Sequence, residues 1–520
     1  MAERLLRATA TVGGMTLISR LTGLARDIVL AVVFGAGAAT DAFFVAFKAP
    51  NFLRRLFAEG AFSQAFVPVL AEYRARDGGA TLKDLIAAVA GTLAGVLLLL
   101  SLAGVAAAPL LIWLLAPGFA ADAAKFDLTV AMLRITFPYL FFISLTALAA
   151  SVLNSLKQFA IPAFTPVFLN LSLIAAALVA APWFAQPVMA LAVGVFVAGV
   201  VQLAFQLPAL HRAGLLPRPR WAWSHPGVRQ IRRLMLPAVF GASVVQVNLL
   251  FDTAVASFLV TGSVSWLYYA ERLVDFPLGV FGVALGTVLL PSLSQKHAES
   301  DPRRFALLLD WALRWSVLVA LPAATGLFLL AAPLLAALFQ HGAFEAQHTR
   351  HASWALMAMA IGLPGFILVK VLAPGFYARQ DTRTPVRAGI AAMLANMALT
   401  ALLVGGFVLA WGRDTPGGHA LLALSTALAA YLNAGLLYRW LRRDGICQPQ
   451  PGWAALLARV LLACALMAAV LWQAQAAWPI AGAGWLRLLQ LLGFVALGAG
   501  VFAAAALLLG LRPTHLRRAV

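Results

Sequence analysis

Long apolar stretches recur along nearly the whole chain, and short polar connections separate them. A run of about 20 predominantly apolar residues is long enough to cross the hydrocarbon core of a bilayer as a helix. The pattern therefore predicts an all-α polytopic membrane protein. Its predicted helices, about fourteen in number and with loose boundaries, lie near 12–34, 40–70, 85–115, 127–153, 160–181, 187–210, 232–259, 264–294, 305–338, 351–377, 386–411, 419–440, 453–474 and 486–511.

Composition and charge support this class. Hydrophobic residues make up 62% of the 520 residues and charged residues only 11%, far from the composition of a water-soluble protein. The net charge of +19 would suggest a nucleic acid partner in a soluble protein. Here the arginines and lysines lie mainly in alternate connections, as the positive-inside rule requires. We therefore expect no nucleic acid partner, and we predict that both termini are cytoplasmic.

The first predicted helices contain more charge than a lipid-facing helix tolerates. Arg20, Arg26 and Lys48 lie well inside apolar stretches. Ionisable residues at membrane depth face protein or water, either as structural ion pairs or along a substrate or ion path. For these three residues we favour a polar cavity over structural pairing.

Further charges continue along the second predicted helix. Asp41, Lys48, Arg55 and Glu59 recur at helical spacing, although Pro50 bends this helix and shifts the phase of the repeat. For Arg54 and its two charged neighbours Arg55 and Glu59, the sequence leaves two interpretations open. They either line the same cavity or extend from a helix end to the membrane surface.

An internal repeat divides the chain. The motif Ala-Ala-Pro-Leu-Leu at 107–111 returns at 331–335, Pro68 is matched by Pro291, and Thr-Pro-Val at 165–167 returns at 384–386, with offsets of 224, 223 and 219. Six helices per copy give two lobes that enter the membrane in the same orientation. We predict an N-terminal lobe at 1–222, a C-terminal lobe at 223–447 and an added helix pair at 448–520.

The second lobe has a charged helix of its own. Arg272 and Glu271 precede a run of small residues in the predicted helix at 264–294. Glycines at steps of three and four indicate close helix packing. Packing does not explain the charges, for which we favour a cavity-lining role over an ion pair with Asp275.

Three oxygen-bearing side chains suggest a further site. Asp252 lies within one predicted helix, and Asn396 and Thr400 share a face of another. Oxygens from different helices are able to hold a cation such as sodium. Hydrogen bonds that pack helices together are the more ordinary explanation.

No motif for catalysis or for an organic cofactor occurs in the sequence. A Walker-type phosphate loop, metal-spaced histidines or cysteines and a soluble nucleotide-binding domain are all missing. A membrane enzyme would need a cluster of carboxylates, and Asp27, Asp41 and Glu59 are few and interleaved with arginines. A protein that only provides a scaffold would not need buried arginines. We therefore favour a transporter over an enzyme or a scaffold.

Four segments resemble the bacterial lipid II flippase family MurJ (MviN), within the superfamily that also contains multidrug and polysaccharide exporters. The likeness runs over essentially the whole chain and is most specific at 34–73. The segments are SRLTGLARD at 19–27, FGAGAATDAFFVAFKAPNFLRRLFAEGAFSQAFVPVLAEY at 34–73, SWLYYAERLVDFPLGVFGVALGTVLLPSL at 265–293 and VLAPGFYARQDTRTPV at 371–386.

The resemblance implies a function, a substrate and a location. Lipid II would move from the cytoplasmic to the periplasmic leaflet of the bacterial inner membrane, by alternating access through a central cationic cavity. The last two helices would form a groove for the lipid tail. Membrane lipids and cell-wall synthesis proteins would be partners, and export of another undecaprenyl-linked oligosaccharide is the nearest alternative. A membrane enzyme that acts on lipid-linked sugars and a scaffold of cell-wall assembly are the alternatives from other classes.

The resemblance also assigns residues. It implies that Arg20, Arg26, Arg54 and Arg272 bind the diphosphate of the substrate and that Asp41 is functionally sensitive; we add Lys48 and Glu59 to the predicted substrate-binding set. Some relatives bind sodium, and Asp252 and Asn396 match that pattern. Thr400 stands where a carboxylate is expected, so sodium and the membrane potential both remain possible driving forces.

Overall fold

The computed structural model describes residues 2–55, 62–77, 79–279, 283–482 and 484–511. Of residues 2–12, 64, 76, 77, 79, 80, 236–245 and 283–288 it describes the backbone alone. All regular secondary structure in these ranges is helical, which confirms the predicted all-α class. Glu59, predicted to bind substrate, lies outside the described residues.

The chain folds into two compact units, Met1–Val264 and Ser265–Val520. The helices of the first unit are α1 Ala2–Phe34, α2 Ala38–Leu53, α3 Ser63–Asp77, α4 Gly79–Ala106, α5 Ala108–Leu115, α6 Ala123–Thr136, α7 Tyr139–Ser155, α8 Ala160–Phe164, α9 Pro166–Ala175, α10 Met189–Arg212 and α11 Pro226–Ser257. The boundary falls within α12, Ser263–Pro277. The helices that follow in the second unit are α13 Val283–Ala298, α14 Pro302–Leu329, α15 Ala331–Leu338, α16 Ala346–Tyr377, α17 Arg383–Trp411, α18 Gly418–Arg443, α19 Trp453–Ala477 and α20 Gly484–Leu508.

Ten helical segments of the described residues are long and apolar enough to cross a membrane. They correspond to the predicted helices three to six and nine to fourteen. The other four predicted helices are also helical where described, but α1, α2, α11 and α12 carry charges in their apolar stretches. The total of fourteen membrane-spanning helices therefore stays a prediction.

The repeated sequence motif has the same local structure in both units. In each copy a long helix stops and a short helix begins at the Ala-Pro-Leu-Leu segment. The backbone at the break is similar, with φ −84° and ψ 10° at Ala107 and φ −91° and ψ 13° at Leu330. Proline lacks an amide hydrogen and is well tolerated in a first helical turn, so Pro109 and Pro333 allow the new helix to begin there.

The compact units and the repeats divide the chain at different residues. Helix α11, the first helix of the second repeat, packs against α3, α4 and α5 of the first unit. The division into lobes at 1–222 and 223–447 with a helix pair at 448–520 stays a prediction. In the second unit, α16 packs on α14 and α18, and α19 packs on α14 and α20.

Candidate functional site

Arg26 is buried in the first unit and joins α1 to α9. Its Nε and Nη2 donate to Asp27 Oδ1 at 2.9 and 2.6 Å, and its Nη1 donates to Asn170 Oδ1 at 3.1 Å. The arginine is 5% exposed and the aspartate 1%. Asn170 Nδ2 donates in turn to the Ser19 carbonyl and to Thr22 Oγ1, both at 3.1 Å. The polar groups of α1 at this level therefore face α9.

The two other arginines that the sequence places in the first unit have different surroundings. Arg20 is exposed, two turns before the buried ion pair on α1. Arg54 directly follows α2, is partly exposed, and donates from Nε to Asn51 Oδ1 at 3.2 Å. An exposed guanidinium keeps its donors accessible to an anionic ligand, whereas the buried Arg26 would have to exchange partners to bind one.

Asp41 is the centre of a second buried cluster. Lys125 Nζ at the start of α6 donates to Asp41 Oδ2 at 2.9 Å, and the backbone N–H of Gly262 donates to the same oxygen at 2.8 Å. The exposed fractions of the two side chains are 7% for the lysine and 1% for the aspartate. One carboxylate thus ties together α2, α6 and the turn after α11.

Local sequence explains why these groups meet. Asp41 lies in the first turn of α2, where the helix dipole favours a negative charge. Lys125 is held beneath the ring of Phe119, with Nζ 4.1 Å from the ring centroid. Gly262 has φ +100°, a conformation that favours glycine and that turns its N–H toward the carboxylate.

Lys48 links α2 to α11 nearer the middle of α2. Its Nζ donates to Thr253 Oγ1 at 2.8 Å, and that hydroxyl donates to the Leu249 carbonyl at 2.7 Å. The neighbouring Asp252 accepts a hydrogen bond from Asn248 Nδ2 at 3.3 Å. Lys48 thus binds the residue that directly follows Asp252, the aspartate predicted to hold a cation.

In the second unit, Arg272 lies on α12 and is 37% exposed. Its Nη2 donates to the Tyr268 hydroxyl at 3.3 Å, and its guanidinium carbon lies 5.2 Å from the centre of the same ring. The distance from Nη1 to Asp275 Oδ2 is 3.8 Å, and this aspartate is 62% exposed. Solvent screens this ion pair, which therefore contributes little to stability.

A cluster of histidine and tryptophan side chains fixes the first turn of α12. Trp266 Nε1 donates to His348 Nδ1 at 3.3 Å, and the indole stacks on His351 with 4.5 Å between ring centroids. His419 Nε2, on α18, donates to the His351 carbonyl at 2.8 Å. Sequence reasoning missed this cluster because its members come from three distant segments. It positions the helix that carries Arg272.

The two residues of the predicted cation site that lie in the second unit are buried on α17. Asn396 Oδ1 accepts a hydrogen bond from Thr426 Oγ1 at 3.4 Å. Thr400 Oγ1 is buried and has no hydrogen-bond partner within the described residues. A hard cation prefers such oxygens, so their chemistry fits sodium. Among the described residues, no group of three or more histidine, cysteine, aspartate or glutamate side chains is arranged to hold a metal ion.

Sequence reasoning also missed residues in the first unit. Lys125 falls between the predicted helices at 85–115 and 127–153, yet it is the buried partner of Asp41. Few cations lie in the connections that the positive-inside rule assigns to the periplasmic side. The presence of Lys125 in one of these connections was the available signal. Asn170 and Thr253 gave no signal, because an isolated amide or hydroxyl in an apolar run is usually a packing hydrogen bond.

Comparison with known proteins gives consistent matches. The sequence profile of the family described as lipid II flippase MurJ matches residues 30–491. A probable lipid II flippase MurJ of Vibrio cholerae serotype O1 is 47% identical, over 100% of this chain and 99% of its own length. The lipid II flippase MurJ of Burkholderia cenocepacia is 46% identical, over 90% of this chain and 89% of its own.

Solved structures agree with these sequence matches. The structure of a lipid II flippase MurJ in an inward closed conformation aligns with a TM-score of 0.79 at 25% identity, over 95% of this chain and 97% of the other. An inward-facing multidrug transporter of the MATE family aligns with a TM-score of 0.62 at 16% identity, over 84% and 97% of the two chains. The second likeness concerns the fold alone.

Proposed function

The chain belongs to the lipid II flippase MurJ family, and from this membership we propose that it carries lipid II across the bacterial cytoplasmic membrane. Full-length identity of 47% to a probable lipid II flippase is the observation that carries the proposal. The proposed activity is transport, with no covalent change to the lipid. Lipid II and the surrounding membrane lipids are its partners, and the predicted contact with cell-wall synthesis proteins remains part of the proposal. We further propose that both termini are cytoplasmic, because the basic connections alternate along the chain.

We propose that arginines hold the diphosphate of the substrate. Arg20 in the first unit is exposed, and Arg54 in the first unit and Arg272 in the second are partly exposed. A guanidinium binds two phosphate oxygens at once and stays charged when partly desolvated. Arg26 belongs to the set only if the ligand replaces its bonds to Asp27 and Asn170.

We propose that the Asp41 cluster closes one end of the first unit during alternating access. The carboxylate holds α2, α6 and the turn at Gly262 through two short hydrogen bonds. The positive-inside pattern predicts that these turns lie on the periplasmic side. Release of the lipid into that leaflet would then require Asp41 to exchange these partners for water. The hydrogen bond from Lys48 to Thr253 joins α2 to α11. The same motion of α2 against α11 would change this bond.

Coupling to sodium is a separate part of the proposal. It is supported by the buried, unpartnered hydroxyl of Thr400 beside Asn396, and by the carboxylate of Asp252. An Asp252→Asn variant should then lose sodium-dependent stimulation of transport while remaining folded in the membrane. Equal transport by this variant and the parent across a sodium titration would instead indicate the membrane potential as the driving force.

The test of the proposed function uses bacteria in which this protein is the sole flippase. Depletion should stop growth, and lipid II should accumulate on the cytoplasmic side. An Arg272→Ala variant should fail to restore growth, and Arg272→Lys should restore part of it at best, because lysine keeps the charge but loses the paired donors.

The matched control for this test is Arg350→Ala, an exposed arginine at the start of α16. It should support growth as the parent does. Accumulation of a different undecaprenyl-linked oligosaccharide on depletion would show that the substrate is wrong. Normal growth with Arg272→Ala at parental protein levels would remove this residue from the substrate site.

A further inference from the structure

The segment that joins α10 to α11 lies along α4, although it contains no regular secondary structure between residues 215 and 222. The Arg220 N–H donates to the Ala87 carbonyl at 3.1 Å, and the Ala222 N–H donates to Thr92 Oγ1 at 3.1 Å. These bonds tie the segment to successive turns of α4. The segment is therefore a fixed part of the surface of the first unit.

Two glycines of α4 provide the room for this contact. A Cβ atom at Gly91 would lie 2.2 Å from the Arg220 backbone nitrogen. At Gly95 a Cβ atom would lie 2.4 Å from the indole of Trp221. Both distances are far below van der Waals contact, so any larger residue would displace the segment. The glycines place the Trp221 ring directly against the helix.

A pair of tryptophans is presented at this surface. Trp221 and Trp223 are stacked, with 5.9 Å between ring centroids and 10° between planes. They remain 57% and 46% exposed. The guanidinium of Arg232 lies 4.5 Å from the centre of the Trp223 ring. Tryptophan with an exposed apolar face and a polar edge is typical of the boundary between lipid tails and headgroups.

Positive charge surrounds the tryptophan pair. Arg220 is paired with Asp84 at 2.6 Å, which fixes the segment rather than leaving a cation available. Arg218, Arg229 and Arg233 are exposed, and none of them has a carboxylate partner within the described part of the chain. The last two lie four residues apart in the first turns of α11, so they share one helix face. The surface thus combines uncompensated cations with an interfacial aromatic pair.

We propose that this surface, which we name the linker site (Arg218, Trp221, Trp223, Arg229, Arg232 and Arg233), binds the headgroup of an anionic phospholipid. The arginines would hold the phosphate, and the indole pair would pack against the glycerol and the upper part of the acyl chains. Zwitterionic lipids offer the same acyl chains without net charge, so the site selects for anionic ones. This inference goes beyond the proposed function and does not depend on it.

The physical argument rests on charge and geometry together. A juxtamembrane arginine attracts an anionic surface with an energy that corresponds to roughly a fivefold gain in affinity. A guanidinium also donates two hydrogen bonds to phosphate oxygens. An exposed basic surface facing only water would not require paired, exposed indoles held on glycines. Those indoles favour a lipid as the occupant over a free anion.

The test is a titration of the detergent-purified full chain, followed by native mass spectrometry. The probes are phosphatidylglycerol, phosphatidylcholine and inorganic phosphate, each added separately. The parent should bind phosphatidylglycerol more tightly than phosphatidylcholine. The double variant Arg229→Gln/Arg233→Gln should lose roughly 25-fold in affinity for phosphatidylglycerol and keep its affinity for phosphatidylcholine. Trp223→Leu should weaken binding of both lipids.

The matched control is Arg303→Gln/Arg304→Gln, two exposed arginines in the first turn of α14, where Arg304 pairs with Asp301 at 3.4 Å. It should bind phosphatidylglycerol as the parent does. Equal losses in both double variants would overturn the proposal, as would equal affinity of the parent for the two lipids. Displacement of the lipid by millimolar inorganic phosphate would also overturn it, because the site would then be one for free anions.

A salt titration of the parent gives an answer even if the variants fail to accumulate. Raising ionic strength from about 0.1 M to about 1 M shortens the screening length from about 10 Å to about 3 Å. The preference for phosphatidylglycerol should fall steeply over this range. A preference that does not change with salt would contradict the arginine-based account of the linker site.

Discussion

Neutralising one partner of the Asp41–Lys125 ion pair should destabilise the first unit strongly. The Nζ–Oδ2 distance is 2.9 Å, and the two side chains are only 1% and 7% exposed. Removing one member of such a pair leaves the other charge buried and uncompensated, at a cost of about 3–5 kcal/mol. For a unit of this size, each kcal/mol lowers the thermal midpoint by about 2 °C. We expect Asp41→Asn and Lys125→Met each to lower it by about 6–10 °C.

A double-mutant cycle isolates the interaction between the two side chains. Asp41→Asn/Lys125→Met removes both charges, so no buried ion remains, and it should recover most of the stability lost in either single variant. Midpoints are read from intrinsic fluorescence of the purified protein on heating. If the losses simply add in the double variant, the two residues do not interact and the pair is not a structural element.

The control for this cycle is an exposed ion pair of the same unit. Arg220 and Asp84 are even closer, at 2.6 Å, but their side chains are 59% and 48% exposed. Solvent screens such a pair to about 0–1 kcal/mol. Asp84→Asn should therefore change the midpoint by at most about 2 °C. A drop in the thermal midpoint as large as that of Asp41→Asn would show that burial does not determine how much stability is lost when an ion pair is broken.

Three further outcomes follow from the structure. Asn170→Leu should lower the thermal midpoint more than Asn170→Ser, because leucine leaves the buried Arg26 guanidinium without an acceptor on α9; equal midpoints would contradict this. Burial raises the pKa of the Cys447 thiol to about 11, with a smaller contribution from Asp310, so the native protein should resist alkylation of this thiol at pH 8. The stability gained from the protonated thiol should be lost only as the pH rises from about 8.5 through 11. Alkylation of Cys447 at pH 8 as fast as in denaturant would refute this. A cysteine at Ala121 should react with an impermeant thiol reagent from outside the cell and one at Arg443 should not, and the reverse pattern would invert the predicted topology.

Much of the fold was accessible from the sequence because apolar length largely determines a membrane-spanning helix. The ten helical segments that are long and apolar enough to cross a membrane, among the residues that the structure describes, all lie where apolar runs predicted them. Breaks within those runs were not predicted. The stop at Ala107 and the restart at Pro166 depend on backbone bonds and neighbouring helices, such as Gln202 Nε2 donating to the Thr165 carbonyl at 3.2 Å. A hydrophobic pattern carries no information about that partner.

The candidate site could be predicted from the sequence only in part. Charges inside apolar runs pointed to Arg26, Asp41, Lys48 and Arg272, because an ionisable residue in a bilayer needs a reason to be there. The side chains that pair with these charges could not be predicted. Lys125 is 84 residues from Asp41, and its pairing depends on how α2 and α6 pack. Whether a charge faces a cavity or a neighbouring carboxylate is decided by tertiary contacts.

Transport of lipid II in a reconstituted system tests the central claim most directly. The purified chain is placed in vesicles with fluorescent lipid II in one leaflet, and appearance of the headgroup in the other leaflet is followed. We predict that the parent moves the lipid, that Arg272→Ala at equal protein density does not, and that Arg350→Ala does. Absence of movement with the folded parent under imposed sodium and membrane-potential gradients, or equal rates for the parent and Arg272→Ala, would contradict the account.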